Sequence, residues 1–210
     1  MFKPLSRTQN DAGVEIKNFP NALRDVSTVS SIVSLYQNIF GHEPWGEGYR
    51  CPVCNARYER SHKGRTCEAC EPRYIILLVE YWPRSRVLEN FYTEMVKPQA
   101  TCLLAKSEEG IVGFAWGYTI LMSEEESLRL EAPGLHHKFY KDFFYIDEVA
   151  LTSVYRGKGI GTHLVSALAD SRKLDIMWRV LRDSPAHKIM QKMGGSVVQD
   201  LSDGRVLMAT

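Results

Sequence analysis

The sequence has no apolar run long enough to cross a bilayer. The longest, Tyr74 to Val79 (YIILLV), spans six residues, against about 20 for a helical span. The opening residues MFKPLSRTQNDAG lack the apolar core of a secretory signal. Charge of one sign is missing too. The chain carries 26 Lys and Arg against 25 Asp and Glu, a formal net charge of +1, so no global field favours nucleic acid or a membrane surface. No internal repeat or low-complexity tract appears. These absences predict a soluble cytoplasmic protein, and 210 residues suffice for one substantial domain or two small ones. Cysteine is scarce but not scattered. Of five, four fall in two pairs, Cys51/Cys54 and Cys67/Cys70, with Cys102 alone. Paired cysteines in a reducing compartment favour a metal over disulfides.

Alternation predicts a strand over Gly13 to Phe19. Val29, Ile32, Val33, Tyr36, Ile39 and Phe40 recur at helical steps, and Ser27 or Thr28 can cap that helix. From Gly41 to about Arg73 the periodicity vanishes, as in an insertion. Tyr74 to Trp82 fits either a buried strand or a helix segment. Pro83 suits the first turn of a helix whose buried face is Val87, Leu88, Phe91, Tyr92 and Met95. A hairpin turning at Glu108-Glu109-Gly110 and a short helix around Ser123 to Leu130 follow. Phe143 to Leu151 (FFYIDEVAL) is the strongest strand. A glycine loop comes next, then a helix marked by Ile160, Leu164, Val165 and Leu168 that ends near Arg172 and Lys173, and a strand from Ile176 to Leu181. Asp183 or Ser184 caps a last helix that stops at Gly194-Gly195. A hairpin turning at Asp203-Gly204 closes the chain. The order is mixed α and β.

The loop reads Arg156-Gly157-Lys158-Gly159-Ile160-Gly161. Glycines allow positive φ and close approach of a ligand. The following helix start offers unpaired N–H groups and partial positive charge, so strand, loop and helix form a phosphate cradle rimmed by two cations. The P-loop pattern fails, because Gly157-Lys158 is followed by Gly159 rather than Ser or Thr. The dinucleotide fingerprint fails because its third glycine falls on Thr162.

R-x-x-G-x-G after a strand does fit. With DEVALTSVYRGKGIGTHLVSAL as core strand, loop and helix, GIVGFAWGY as hairpin, and SPAHKIMQKMGG as late helix, the chain resembles the GNAT superfamily of acyl-CoA-dependent N-acyltransferases. The resemblance covers nearly the whole chain except Gly48 to about Arg73. It implies one α+β domain over residues 1–210, a mixed sheet flanked by helices, within which the uncovered segment 48–73, holding the cysteine pairs, is an insertion. It also implies that acetyl-CoA is the cosubstrate. The backbone of Val149, Ala150 and Leu151 would take the pantetheine arm like an added strand. The amides of Arg156, Gly157, Lys158, Gly159, Ile160, Gly161 and Thr162 would take the pyrophosphate. Asp183 stands where the family often carries a cofactor-facing Asn.

Acyl transfer to an amine with a pKa of about 10 needs a base. Glu148, eight residues before Arg156, lies where the family often places it. Strict alternation puts Glu148 on one face with Phe144, Ile146 and Ala150, where partial burial would raise its pKa. Asp147 is the fallback. Many members carry a tyrosine on the late helix that protonates the leaving sulfur; here that position is Met190, which has no proton to give. Tyr155 is a substitute by position.

Cys51-Pro-Val-Cys54 and Cys67-Glu-Ala-Cys70, twelve residues apart, make two knuckles that suit one tetrahedral zinc. Four thiolates leave no open position, so a structural zinc is expected. Six Lys or Arg face four Asp or Glu between Glu47 and Arg73; with zinc and thiolates the knuckle is near neutral, which argues against a nucleic-acid grip. Cys102 reads as core, and His136-His137 as an exposed loop pair or a contact to substrate. Glu124-Glu125-Glu126 reads as a solvated helix start or an acceptor-attracting patch. By resemblance, Trp45 and Trp116 line the acceptor pocket; packing in the core is the alternative reading. The sequence thus points to an N-acetyltransferase acting on a primary amine of a small molecule or protein. The rival is an acyl-CoA-sensing module whose knuckle docks a partner.

Overall fold

Among the described residues of the computed structural model (13–20, 22–42, 45–70, 75–170 and 173–210), the elements follow one another as expected. They run β1 Glu15–Asn18, α1 Val26–Phe40, β2 Tyr49–Arg50, β3 Arg57–Tyr58, β4 Val79–Glu80, α2 Arg84–Met95, β5 Thr101–Ser107 and β6 Gly110–Leu121. Then come α3 Glu124–Arg129, β7 Asp142–Leu151, α4 Ile160–Asp170, β8 Asp175–Leu181, α5 Pro185–Lys192, β9 Ser196–Asp200 and β10 Arg205–Ala209. They form two compact units, Met1–Pro20 with Glu94–Thr210, and Asn21–Thr93.

The first unit is built on a seven-stranded sheet in the order β1-β5-β6-β7-β8-β10-β9. β7 occupies its centre, which suits its apolar Phe143-Phe144-Tyr145-Ile146 run. Its pairing with β8 is parallel, and the other pairings are antiparallel. One face packs Phe144, Ile146, Ala115 and Val112 beneath Ile160, Leu164, Val165 and Leu168 of α4. The opposite face packs Phe143, Tyr145, Tyr118, Ile120, Met177 and Leu207 with Leu130 and Leu135.

β7 departs from strict alternation. Trp116 pairs with Glu148, but the next β6 residue, Gly117, pairs with Ile146. Asp147 is therefore the extra residue of a β-bulge, and the facing pattern shifts by one across it. Ile146 lies on the α4 face, and so do Val149 and Leu151 beyond the bulge. Asp147 and Glu148 consequently both fall on the other face. The expected sharing of a face by Glu148, Phe144 and Ile146 is wrong for that reason. Gly117 makes the bulge possible, because a Cβ there would stand 2.4 Å from the Tyr145 carbonyl oxygen.

In the second unit, α1 buries Val29, Ile32, Val33, Tyr36, Ile39 and Phe40, the predicted stripe. Its cap is Asp25, which accepts the Thr28 N–H at 3.0 Å, not Ser27 or Thr28; a carboxylate at that position also suits the helix dipole. β2 pairs with β3 and β4 in a small sheet. Within Tyr74 to Trp82 the regular part is the short strand β4, and Ile75, Leu77 and Val79 are exposed rather than buried; Tyr74 lies outside the described residues. Glu47 is buried, yet both its oxygens are satisfied. Arg57 donates to one at 3.0 Å and the Trp82 indole to the other at 2.8 Å. The Pro83 carbonyl accepts the Val87 N–H, so Pro83 sits just ahead of α2. At the other chain end, Ser184 rather than Asp183 caps α5. Arg172, placed at the α4 C-terminus by sequence, lies outside the described residues.

Replacing Gly117 by Ala is expected to cost about 3 kcal/mol, since the clash is with backbone. Gly161→Ala, whose Cβ would meet nothing nearer than 3.8 Å, is the control. Urea unfolding of both variants measures the difference; equal midpoints would contradict the tight bulge.

Candidate functional site

β7 and β8 run side by side only from Phe143/Asp175 to Ile146/Trp178. Both strands continue, β7 to Leu151 and β8 to Leu181, without further ladder pairing. An opening between parallel strands at their C-terminal ends is where α/β sheets receive ligands. Val149, Ala150 and Leu151 occupy this stretch of β7. The glycine loop leads away from it. The Thr152 N–H is anchored to the Val112 carbonyl at 2.9 Å, and Arg156 folds back so that its Nε donates to the Leu151 carbonyl at 3.0 Å. Gly157 and Gly159 take φ of +74° and +79°, which L-residues adopt only with strain. The first backbone bond of α4 runs from His163 N–H to the Gly159 carbonyl. The amides of Ile160, Gly161 and Thr162 thus precede the helical ladder. Arg156, Gly157, Lys158 and Gly159 are all exposed. The geometry is that of a cationic anion cradle at the mouth of the strand opening.

The bulge places Asp147 and Glu148 on the face opposite α4, and a third carboxyl joins them there. Glu94, on the last turn of α2, accepts the Trp116 indole N–H at 2.7 Å. Burial, with the adjoining Asp147 and Glu148 carboxyls, pushes Glu94 up to about 10, so it keeps its proton at neutral pH. The Tyr118 hydroxyl lies 3.5 Å from Asp147 Oδ1. Burial holds Lys97 below the ordinary lysine value, and its Nζ stands 3.8 Å from the Tyr118 ring centroid. Trp116 is therefore both buried and engaged with the acids.

Sequence reasoning missed Glu94. A signal was present: it follows Phe91 by three residues and Val87 by seven, so it extends the buried helical stripe. Among the weaker candidates, Glu126 pairs with Arg129, and Cys102 is buried, which pushes its thiol pKa up.

The four paired cysteines converge. Their sulfurs all lie within 4.8 Å of one another, with Cys51–Cys70 and Cys54–Cys67 each 3.6 Å apart. Tetrahedral zinc–sulfur bonds of about 2.3 Å give edges of about 3.8 Å, so the set fits one such ion. The N–H groups of Val53 and Cys54 point to Cys51 Sγ at 3.4 and 3.5 Å. The Tyr58 hydroxyl reaches Cys67 Sγ at 3.2 Å while accepting the Glu68 and Ala69 N–H groups. That hydroxyl bond is the main reason the Cys67 thiol falls to about 6, which favours the ligating thiolate.

Residues 66–194, more than half of the chain, match the profile of the Acetyltransferase (GNAT) family. The chain belongs to this family. The GNAT fold recurs in solved structures at low identity. A Pyrococcus horikoshii protein, PH1933, has 16% identity and a TM-score of 0.55, covering 94% of this chain and 97% of its own. The PaiA N-acetyltransferase of Thermoplasma acidophilum, solved with coenzyme A, has 13% identity and a TM-score of 0.52, covering 94% and 98%. An acyl-CoA N-acyltransferase from Pseudomonas aeruginosa has 12% identity and a TM-score of 0.52, covering 93% and 98%. Curated protein sequences yield no match.

In this GNAT chain the late helix departs from the expected chemistry in visible ways. Met190 is fully buried in the core cluster on the α4 face. Asp183 takes φ +62° and leaves its side chain largely exposed. Its N–H donates to His187 Nδ1 at 3.3 Å, which leaves the His187 proton on Nε2 when the ring is neutral. No helix among the described residues is long and apolar enough to cross a membrane.

Tyr58→Phe removes one supporting bond from the metal site and leaves all four sulfurs. It is expected to weaken metal affinity about 10-fold or more, read by competition with a chromogenic chelator. Unchanged affinity would contradict the role of the hydroxyl.

Proposed function

We propose that this chain is an N-acetyltransferase that moves the acetyl group of acetyl-CoA to a primary amine on a small molecule or a protein. The single observation carrying this is the phosphate-type cradle at the end of β7, directly beside the strand opening. Membership of the GNAT family supports it. So does the coenzyme A in the Thermoplasma acidophilum neighbour of the same fold.

The amides of Arg156 to Thr162, with the Arg156 and Lys158 side chains, hold the diphosphate. The backbone of Val149, Ala150 and Leu151, beyond the β8 ladder, takes the pantetheine arm, and Asp183 borders the cofactor from just ahead of α5. Glu148 removes the proton that makes the acceptor an unreactive ammonium. The free amine attacks the thioester carbonyl, and an N–H near Val149 stabilises the oxygen as it gains charge. The tetrahedral species then collapses, breaking the carbon–sulfur bond. With Met190 unable to donate, coenzyme A leaves as its thiolate, which a thiol pKa of about 8.5 makes tolerable; the proton that the attacking nitrogen sheds on becoming an amide passes to the thiolate through solvent.

The four cysteines hold a structural zinc, which staples a segment that has no large core of its own. We take residues 1–210 as one GNAT domain with the knuckle at 48–73 as an insertion, working in the cytoplasm without nucleic acid or membrane. Met190 favours one alternative, an acyl-CoA-sensing module whose knuckle docks a partner.

Calorimetry separates these readings from no binding at all, and turnover on a panel of amines separates them from each other. Acetyl-CoA should bind, Arg156→Ala with Lys158→Ala should weaken it, and Glu148→Gln should lower kcat about 100-fold or more. Binding without turnover on any amine favours the sensing module.

A further inference from the structure

A buried polar side-chain atom without a hydrogen-bond partner is rare, and it calls for a partner that the fold itself does not supply. Among the described residues four such atoms occur, and two of them, Thr152 Oγ1 and His187 Nε2, border the strand opening. Thr152 directly follows β7, and His187 lies on the first turn of α5, which follows β8. His187 is only 6% exposed, so bulk solvent does little to compensate it. Its Nδ1 accepts the Asp183 N–H at 3.3 Å. The Asp183 carboxylate stands 3.9 Å from Nδ1, too far to hold a proton there. In the neutral ring the proton therefore sits on Nε2, on the side of the imidazole turned away from the Asp183 N–H. One turn on, Met190 is buried in the cluster on the α4 face. Between them, Ile189 reaches the start of α4, 3.8 Å from where a Cβ on Gly161 would lie. The first turn of α5 thus stands beside the anion cradle.

The reaction proposed above lacks a donor at one point. With the diphosphate at Gly157 to Thr162 and the arm along Leu151 to Val149, the thioester lies toward Val149. β7 and β8 pair in parallel up to Ile146/Trp178. Three residues further along each strand stand Val149 and Leu181. The chain that leaves β8 for α5 is therefore roughly level with the thioester. When the carbon–sulfur bond breaks, its electron pair goes to sulfur. Neither Glu148 nor the N–H near Val149 acts on that charge.

We propose that His187 is a catalytic residue: its Nε2–H donates a hydrogen bond to the cosubstrate sulfur as that sulfur becomes a thiolate. This rests on the acetyltransferase function proposed above. His187 keeps its proton throughout, and the proton shed by the attacking nitrogen still reaches the thiolate through solvent. The thioester sulfur is a weak acceptor and the thiolate a strong one. The bond therefore strengthens as the reaction proceeds, which accelerates the step rather than tightening the ground-state complex.

The test compares wild type, His187→Leu and His187→Gln in acetyl-CoA affinity by calorimetry and in kcat on a panel of amines. Leu removes the donor, and Gln returns an N–H near the position of Nε2. Both lose the Nδ1 acceptor, so the difference between them isolates the Nε2 donor. His187→Leu is expected to lower kcat about tenfold or more, with acetyl-CoA affinity within about twofold of wild type. His187→Gln should return kcat to within about threefold of wild type. If His187→Leu does not fold, His187→Met takes its place, and failure of both to fold makes the residue structural and overturns the inference. An unchanged kcat in the variant without a donor overturns it, and so does a Gln variant equally slow. Weakened acetyl-CoA binding at unchanged kcat would place His187 on the arm rather than on sulfur, and overturns it too. Wild type that binds acetyl-CoA but turns over no amine overturns the acetyltransferase function and this inference with it.

Discussion

β7 carries one residue more than β6 opposite it, and a pleated strand cannot absorb that residue without changing phase. Everything chemical on the far face of the sheet depends on this misfit. Before the bulge, Phe144 and Ile146 lie under α4; beyond it, Val149 and Leu151 do. Asp147 and Glu148 are left together on the other side, where Glu94 and Trp116 meet them. Gly117 permits the close approach. A bulge bends its strand and increases local twist, and the ladder to β8 ends at Ile146/Trp178, directly beside it. The same local irregularity thus accompanies both the acidic face and the strand opening.

The opening and the loop form a second arrangement that follows from backbone rather than side chains. Beyond Ile146 the edge of β7 toward β8 has no ladder partner, and five residues after Thr152 the chain reaches the first of two exposed glycines. Two positive φ values let the backbone turn sharply into α4. Backbone amides ahead of the helical ladder, two cations and the positive end of a helix then act on the same small volume. Cationic side chains alone are mobile and screened; fixed amides supply the directionality that a diphosphate requires.

Much of this was legible in the sequence. FFYIDEVAL is apolar enough to demand a central strand, and R-x-x-G-x-G directly after it limits the ligand chemistry sharply. The cysteine spacing fixed a four-sulfur cluster independently of fold. What stayed hidden has a common physical origin. A bulge leaves no mark in an alternation pattern, because the extra residue is polar and looks like any outward position. The phase of Glu148 therefore came out reversed. Glu94 was hidden because an acid near a helix end reads as solvated, although its spacing from Val87 and Phe91 placed it on the buried stripe. The strand or helix ambiguity of Tyr74 to Trp82 arose because apolar residues there are exposed, and neither template anticipates that.

The knuckle of the second unit and the cradle of the first obey different rules: one gathers four cysteine sulfurs spaced to fit a metal ion, the other is shaped by backbone geometry. The central claim concerns the latter, namely that acetyl-CoA lies along Val149 to Leu151 with its diphosphate against the start of α4. Amide hydrogen exchange with and without acetyl-CoA tests it most directly. The account predicts slower exchange at Val149 to Leu151 and at Gly157 to Thr162, and little change in β9 and β10. Bound acetyl-CoA that left those two segments exchanging at their free rates would contradict it.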